Sequence, residues 1–233
     1  MIEIGNRPII WHIMKIYSHY GFNEFILCLG YKGNEIKKYF IEEKWKINDL
    51  TIKTGSEYKL DYHSNDSQDW KITFVDTGQE SNKAERLLKI KPFLEGEDDF
   101  FLAYGDDVTD VNIQQLLDFH KRNNKMGTIT AINLVSPFGV LTVNQNDEIE
   151  KFEEKPVLDY WINGGFMVMN KKIFDYIKPG YDLEKEVFKE MSSNKEILVY
   201  KHAGFWKCMN TFKETVELNE LWNSNLAPWK VWK

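Results

Sequence analysis

A short apolar run, Phe100-Phe101-Leu102-Ala103-Tyr104, breaks off at Gly105, and Asp106, Asp107 and Asp110 follow at once. An apolar run of that length bounded by a turn signal suits a buried parallel strand, and open α/β sheets collect their ligands just beyond the carboxyl ends of such strands. The run therefore directs the chain toward an α/β layer and puts Asp106 at the mouth of a site. Carboxylates there suit Mg2+, a hard cation usually held by one or two protein carboxylates together with the phosphates of a substrate. A competing reading makes Asp107 or Asp110 the cap of the next helix, expected over Asn112 to Arg122, where Ile113, Leu116, Leu117 and His120 keep helical spacing.

Strand-like and helix-like stretches alternate on both sides of this run. Pro8 suits a first helical turn, and Ile9, Ile10, Ile13, Met14 and Tyr17 make an apolar stripe ended by Gly21. Phe25 to Leu29 reads as a buried strand and Asn34 to about Trp45 as a second helix, half of a doubly wound unit. The strand that should lead into the Pro8 helix is not in the sequence. Residues 46–70 are polar and turn-rich, with Thr54-Gly55-Ser56-Glu57 and His63-Ser64-Asn65-Asp66-Ser67, and suit a hairpin or a mobile excursion. Lys71 to Val75 reads as a strand with Asp76-Thr77-Gly78 at its end, and a helix is expected from about Asn82 to Leu94. After a strand at Thr128 to Ile132 come short segments at Phe138 to Val143, Glu148 to Phe152 and Gly164 to Met169. Helices are expected at Lys171 to Ile177, Leu183 to Met191 and Thr211 to Trp222, with a strand at Ile197 to Tyr200. No linker or repeat divides the chain, so one domain over 1–233 is expected.

Composition narrows the partners. A net charge of -6 argues against a nucleic-acid surface, which normally shows a basic excess. Cys28 and Cys208 stand far apart with no CxxC, as buried thiols of a reduced compartment would. No apolar run reaches the length of a membrane span and no signal-peptide pattern opens the chain, so a cytoplasmic location is expected.

Several stretches together resemble glucose-1-phosphate cytidylyltransferases, within the sugar nucleotidyltransferases. They are Ile4 to Lys15, Gly30-Tyr31-Lys32-Gly33, Val75 to Gly78, Tyr104-Gly105-Asp106, Glu154-Lys155-Pro156, Ile162 to Phe166, Gly204-Phe205-Trp206, and the tail Leu221-Trp222 with Ala227 to Trp232. The resemblance spans nearly the whole chain. It implies a Rossmann-like, mostly parallel sheet flanked by helices, with a small β-rich sugar-binding part and a helical C-terminus. It also implies CTP and glucose 1-phosphate as partners, CDP-glucose and pyrophosphate as products, Mg2+ as cofactor, and a homo-oligomer. By motif, Asp106 resembles the metal-binding aspartate and Lys155 the lysine on the sugar phosphate. Thr77, Gly78, Arg86, Tyr104 and Gly105 resemble the nucleotide-binding positions, Thr77 and Gly78 being the turn that meets the base. Gly139, Glu154, Asn163, Gly164 and Gly165 resemble the sugar-binding ones. A plain turn at Thr77-Gly78, a solvated turn at Glu154-Lys155 and a structural bulge at Gly164-Gly165 remain alternatives.

The sequence also departs from that pattern. The family opens with a strand and a glycine-rich, arginine-containing loop whose N–H groups and basic side chains hold the triphosphate, and no G-x-G-x-x-G or G-x-x-x-x-G-K-[ST] occurs in this chain. CTP is therefore expected to bind poorly and activity to be impaired. Asn210 stands where the family has a second aspartate; an amide oxygen can ligate Mg2+ but adds no charge. Ala84-Glu85 replace a glycine pair before Arg86. Two other readings stay open: a non-catalytic homologue that binds sugar phosphate or serves assembly, and a metal-dependent glycosyltransferase, which the lack of Asp-x-Asp spacing disfavours.

Overall fold

The computed structural model describes residues 1–63 and 68–232. The chain opens with a small antiparallel hairpin, β1 (Glu3–Ile4) and β2 (Arg7–Pro8), turned at Gly5 with φ +64°. Pro8 is then the N-cap residue of α1 (Ile9–His19), where its lack of an N–H leaves no helical bond unmade, and Ile9, Ile13, Ile16 and Tyr17 are buried. β3 (Glu24–Leu29) and α2 (Gly33–Ile47) follow, then the hairpin β4 (Leu50–Lys53) and β5 (Lys59–Tyr62). Of the turn-rich run 63–67, residues 64–67 lie outside the described residues. β6 (Lys71–Asp76) leads to α3 (Lys83–Ile90), which starts with a reciprocal capping box between Asn82 and Glu85 and continues as a 3-10 turn over Lys91–Leu94.

The apolar run at Phe100 is β7 (Asp99–Ala103), and a short strand, β8 (Asp107–Thr109), begins three residues beyond it. α4 (Ile113–Asn123) is capped by Asn112, whose side-chain oxygen accepts from the N–H of Gln115 at 2.9 Å. Neither Asp107 nor Asp110 caps it. Asp110 instead accepts from the Phe205 N–H at 2.7 Å and faces His202 Nε2 at 2.8 Å, a tie across more than ninety residues that sequence spacing could not reveal. β9 (Gly127–Val135), β10 (Val140–Val143) and β11 (Ile149–Glu153) come next. The segment expected only from Gly164 is part of a longer strand, β12 (Val157–Asn170), whose register slips between Val157 and Trp161 and again between Asn163 and Met167. A 3-10 turn over Lys171–Asp175 and a π-helical turn over Leu183–Phe188 lead into α5 (Lys189–Ser193). β13 (Ile197–His202), β14 (Trp206–Cys208) and α6 (Phe212–Asn223) complete the chain.

Four strands pair in the order β13-β9-β12-β7, with β13 parallel to β9 and β12 antiparallel to both its neighbours. β3 and β6 form a separate parallel pair. One apolar cluster joins α1, α4, α6 and the C-terminal tail to Phe25, Phe101, Ala103, Phe166 and Val168. A second joins α3, the Leu183–Phe188 turn and α5 to Ile26, Cys28, Phe100, Leu102, Met167 and Met169. Successive strand residues thus alternate between the two clusters, and helices cover both faces, as buried α/β layers require.

Candidate active site

The carboxyl ends of β3, β6 and β7 all lead into the loops that carry the candidate residues, as the position of ligands in open α/β sheets requires. At the end of β7 the backbone turns through Tyr104-Gly105-Asp106 before β8 starts. β14 pairs with β8 so that Cys208 stands opposite Asp107, and the Met209 N–H donates to the Asp106 carbonyl at 2.8 Å. That pairing brings Asn210 beside Asp106, although a hundred residues separate them in sequence. The Asn210 side chain is exposed and makes no hydrogen bond among the described residues.

Asp107, not Asp106, is the buried member of the acidic pair, 4% exposed. Burial, and then the neighbouring Asp106, push its carboxyl up to about 7, while Lys83 pulls the other way. Gly165 makes room for it. A Cβ there would come within 2.3 Å of Asp107 Oδ2, and its φ of +77° is one that side chains rarely adopt. The Asn163/Met167 slip in β12 is therefore a cradle for Asp107 and Tyr104 rather than a local irregularity alone.

Asn163 and Tyr104 are joined across fifty-nine positions: Asn163 Nδ2 donates to the Tyr104 hydroxyl at 3.1 Å, and its Oδ1 accepts from the Gly165 N–H at 2.9 Å. The Tyr104 N–H donates to the Gly165 carbonyl at 3.2 Å, and Trp206 Nε1 donates to the Gly164 carbonyl at 2.7 Å. The Tyr104 hydroxyl in turn donates to Glu184 Oε1 at 2.5 Å, and Glu184 is ion-paired with Lys83, whose ammonium lies 4.1 Å from the centre of the Tyr104 ring. Burial and Glu184 raise the phenol pKa. Sequence spacing does not mark Lys83 or Glu184 as site residues. Their partners are up to a hundred residues away, and no local pattern marks them.

The other sequence-derived positions form two further groups. Thr77 is fully buried: its hydroxyl donates to the Leu29 carbonyl at 2.8 Å and accepts from Arg86 Nη1 at 2.5 Å. Arg86 also reaches the carbonyls of Leu29 and Gln79, lying so close over Gly30 that a Cβ there would meet its Nη2 at 2.7 Å. Gly78 donates its N–H to Asp76 Oδ1 at 2.9 Å, and Lys89 Nζ donates to the Thr77 carbonyl at 2.6 Å. Ala84 is fully buried and Glu85 serves the cap of α3, so Glu85 is turned toward its own backbone. In the third group, Lys155 sits on the turn between β11 and β12 with φ +48°, 3.9 Å from Glu154 and largely exposed. Gly139 faces that turn: a Cβ on it would meet the Phe152 ring at 2.9 Å and Glu154 Oε2 at 3.2 Å. Among the described residues no hydrogen bond or ion pair links Lys155 to Asp106 or Asn163.

The donor set at Asp106 suits a hard cation shared with a ligand. Among the described residues the side chains of Asp106 and Asp107 accept no hydrogen bond and no group of three or more His, Cys, Asp or Glu forms a dedicated cage. Two carboxylates and an amide oxygen match Mg2+, which retains waters and takes its remaining ligands from phosphate.

The family described as Nucleotidyl transferase matches residues 1–223. A protein of Bacillus subtilis (strain 168) named "Probable glucose-1-phosphate cytidylyltransferase" is 43% identical over 233 residues, covering 98% of this chain and 89% of its own length. The glucose-1-phosphate cytidylyltransferase of Salmonella typhi is 38% identical over 235 residues, covering 100% and 91%. HddC from Yersinia pseudotuberculosis superimposes with a TM-score of 0.66 over 95% of this chain and 88% of its own, at 15% identity, and so speaks for the fold. Resemblance by motif, the matched residues and the α/β layer with its acidic strand end converge, and the chain belongs to the nucleotidyl transferase family.

Proposed function

We propose that this chain descends from, and is built for, transfer of CMP from CTP to α-D-glucose 1-phosphate, giving CDP-glucose and pyrophosphate. The observation that carries the reading is the acidic pair Asp106-Asp107 set against Asn163, Gly164 and Gly165 in a chain this similar to glucose-1-phosphate cytidylyltransferases. A phosphate oxygen of the sugar phosphate attacks the α-phosphorus of CTP in line; the new P–O bond forms as the bond to the β-phosphate bridging oxygen breaks, and pyrophosphate leaves. No covalent nucleophile is required, so the protein acts by positioning and by neutralising charge. Asp106 and Asn210, with Asp107 beside them, would hold Mg2+, which when bound neutralises charge on the triphosphate. Lys155 is assigned to the sugar phosphate, where a long flexible cation suits the task. Asn163 and the backbone at Gly164-Gly165, with Gly139 and Glu154 nearby, are assigned to the sugar. Thr77, Gly78 and Arg86 are assigned to the base, and Tyr104 and Gly105 to the nucleotide. The whole chain acts as one domain in this reading. A cytoplasmic location is part of the proposal; no helix of the described residues is long and apolar enough to cross a membrane. A homo-oligomer is part of the proposal by similarity.

Pyrophosphate release is expected to depend on a glycine-rich phosphate-binding loop, a motif that residues 1–233 do not contain. Pyrophosphate release from CTP and glucose 1-phosphate, measured for this chain and for a version extended upstream with a strand and such a loop, tests this. Activity in the extended chain alone supports the reading; equal turnover in both refutes the need for the loop. Asn210 favours a second reading, a homologue that binds sugar phosphate without catalysis. Calorimetric binding of glucose 1-phosphate, with no turnover and no CTP binding in either version, would establish it.

A further inference from the structure

The Tyr104 hydroxyl stands between two polar side chains, with Glu184 Oε1 at 2.5 Å and Asn163 Nδ2 at 3.1 Å. A carboxylate only accepts, so the one phenolic proton goes to Glu184 and the oxygen can only accept from Asn163. Burial and that bond to Glu184 hold the phenol above its ordinary pKa, which keeps the proton in place. On its other side Asn163 meets a second donor, the Gly165 N–H, with Oδ1 at 2.9 Å. Both neighbours therefore demand the same orientation of the Asn163 amide, nitrogen toward Tyr104 and oxygen toward Gly165. Without the acceptor at Glu184 the hydroxyl could offer its proton to Asn163 instead. An amide turned over to take that proton would set its nitrogen against the Gly165 N–H. The direction of the whole relay is thus fixed at Glu184.

Glu184 is itself firmly held. It lies on the π-helical turn Leu183–Phe188, a rare geometry that often occurs at functional sites. Asp182 caps that turn, accepting from the N–H groups of Glu184 and Lys185 at 3.1 Å each, and Leu183, Val187 and Phe188 anchor it in the core. Lys83, the first residue of α3, pairs with the Glu184 carboxylate and lies over the Tyr104 ring. A lysine at a helix N-terminus is disfavoured by the dipole, and the pairing with Glu184 offsets that cost. Among the described residues Glu184 makes no hydrogen bond with Asn163 itself, so its hold on that amide passes through Tyr104. Building on the assignment of Asn163 to the sugar, we propose that Glu184 is a positioning residue: through the Tyr104 hydroxyl it sets the Asn163 amide so that the second Nδ2 hydrogen is presented to a hydroxyl of the sugar phosphate.

Two readouts on the full chain separate this role from a merely structural one. With asparagine nitrogens isotope-labelled for NMR, the Asn163 side-chain amide is assigned by its disappearance in Asn163→Asp, and the exchange of its Nδ2 protons with water is measured without ligand. Glu184→Ala and Tyr104→Phe are each expected to speed that exchange about tenfold, and the two together no more than either alone. Calorimetry with glucose 1-phosphate should show a loss of affinity of about tenfold in each single variant, again not compounded in the double variant. Glu184→Gln keeps a carbonyl oxygen that accepts the Tyr104 proton but gives up the charge paired with Lys83, and it should retain both properties. Unaltered exchange in Glu184→Ala, or effects of the two substitutions that multiply, would overturn the proposal. So would a Glu184→Gln variant as impaired as Glu184→Ala, because the ion pair with Lys83 would then be responsible rather than the hydrogen bond. Failure of the unmutated chain to bind glucose 1-phosphate, with exchange responding as expected, would instead overturn the assignment of the ligand while supporting the hold of Glu184 on Asn163.

Discussion

At the scale of single residues, His12 shows what burial does to a titrating group. It is fully buried, with Nε2 3.0 Å from the Ile4 carbonyl and Nδ1 3.4 Å from the Trp229 indole nitrogen. A carbonyl only accepts and an indole only donates, so the neutral ring carries its proton on Nε2 and accepts at Nδ1. Protonation would set a second N–H against the Trp229 donor, and burial accordingly lowers the pKa from 6.5 to about 4. Because the folded value lies below the unfolded one, the unfolded chain binds more protons between the two. Stability associated with His12 is complete above pH 6.5 and is lost as pH falls toward 4, by about 3 kcal/mol. Thermal unfolding at pH 7 and pH 5 should show this loss, and His12→Phe should flatten that part of the profile; an unchanged slope in the variant would refute the assignment. Asn210 poses the complementary case, an uncharged group beside Asp106 where a charge is expected. In the chain extended with a phosphate loop, Asn210→Asp should lower the Mg2+ concentration for half-maximal pyrophosphate release about tenfold, a gain of about 1.4 kcal/mol in cation affinity.

Among elements, the aromatic tail fastens the two ends of the chain. Asn219 on α6 accepts from the Gly5 N–H at 2.8 Å and donates to the Glu3 carbonyl at 3.0 Å. Trp222 covers Gly5 so closely that a Cβ there would meet its Nε1 at 2.3 Å, and Trp229 is 0% exposed between Phe205 and Trp222. Sequence alone does not decide whether such a tail closes a core or faces a partner, because a tryptophan serves both. The partner that decides it, the β1–β2 turn, lies more than two hundred residues away. Trp229→Ala should destabilise by about 3–5 kcal/mol, as truncation of a large buried aromatic does. Gly5→Ala adds a clash to a φ of +64° and should cost about 1–3 kcal/mol. Urea unfolding measures both, and a loss under about 0.5 kcal/mol in each, the scatter of neutral surface changes, would mean that the tail does not hold the hairpin.

For the molecule as a whole, what could be read in advance was what local periodicity encodes. Apolar runs gave β3, β6, β7 and β9, and helical stripes gave α1, α2, α4 and α6. What could not be read was made by long-range register. Met209, next to Asn210, bonds Asp106 through the pairing of β14 with β8, Lys83 meets Glu184 beneath Tyr104, and β12 starts at Val157, upstream of the segment expected only from Gly164. The same register divides the layer into β6-β3 and β7-β12-β9-β13, a division that periodicity cannot express because each strand looks equally buried in sequence. The four-stranded part contains the fully buried run of β12, whereas among the described residues β3 and β6 pair only with each other, and such pairs are weak without neighbours. The two parts should therefore open separately. Native-state hydrogen exchange is expected to show β3 and β6 opening about 2 kcal/mol more easily than β9 and β12, roughly thirtyfold faster exchange at equal intrinsic rates. A single opening free energy shared by all four strands would mean that the helices on both faces, not strand pairing, set the cooperativity of the fold.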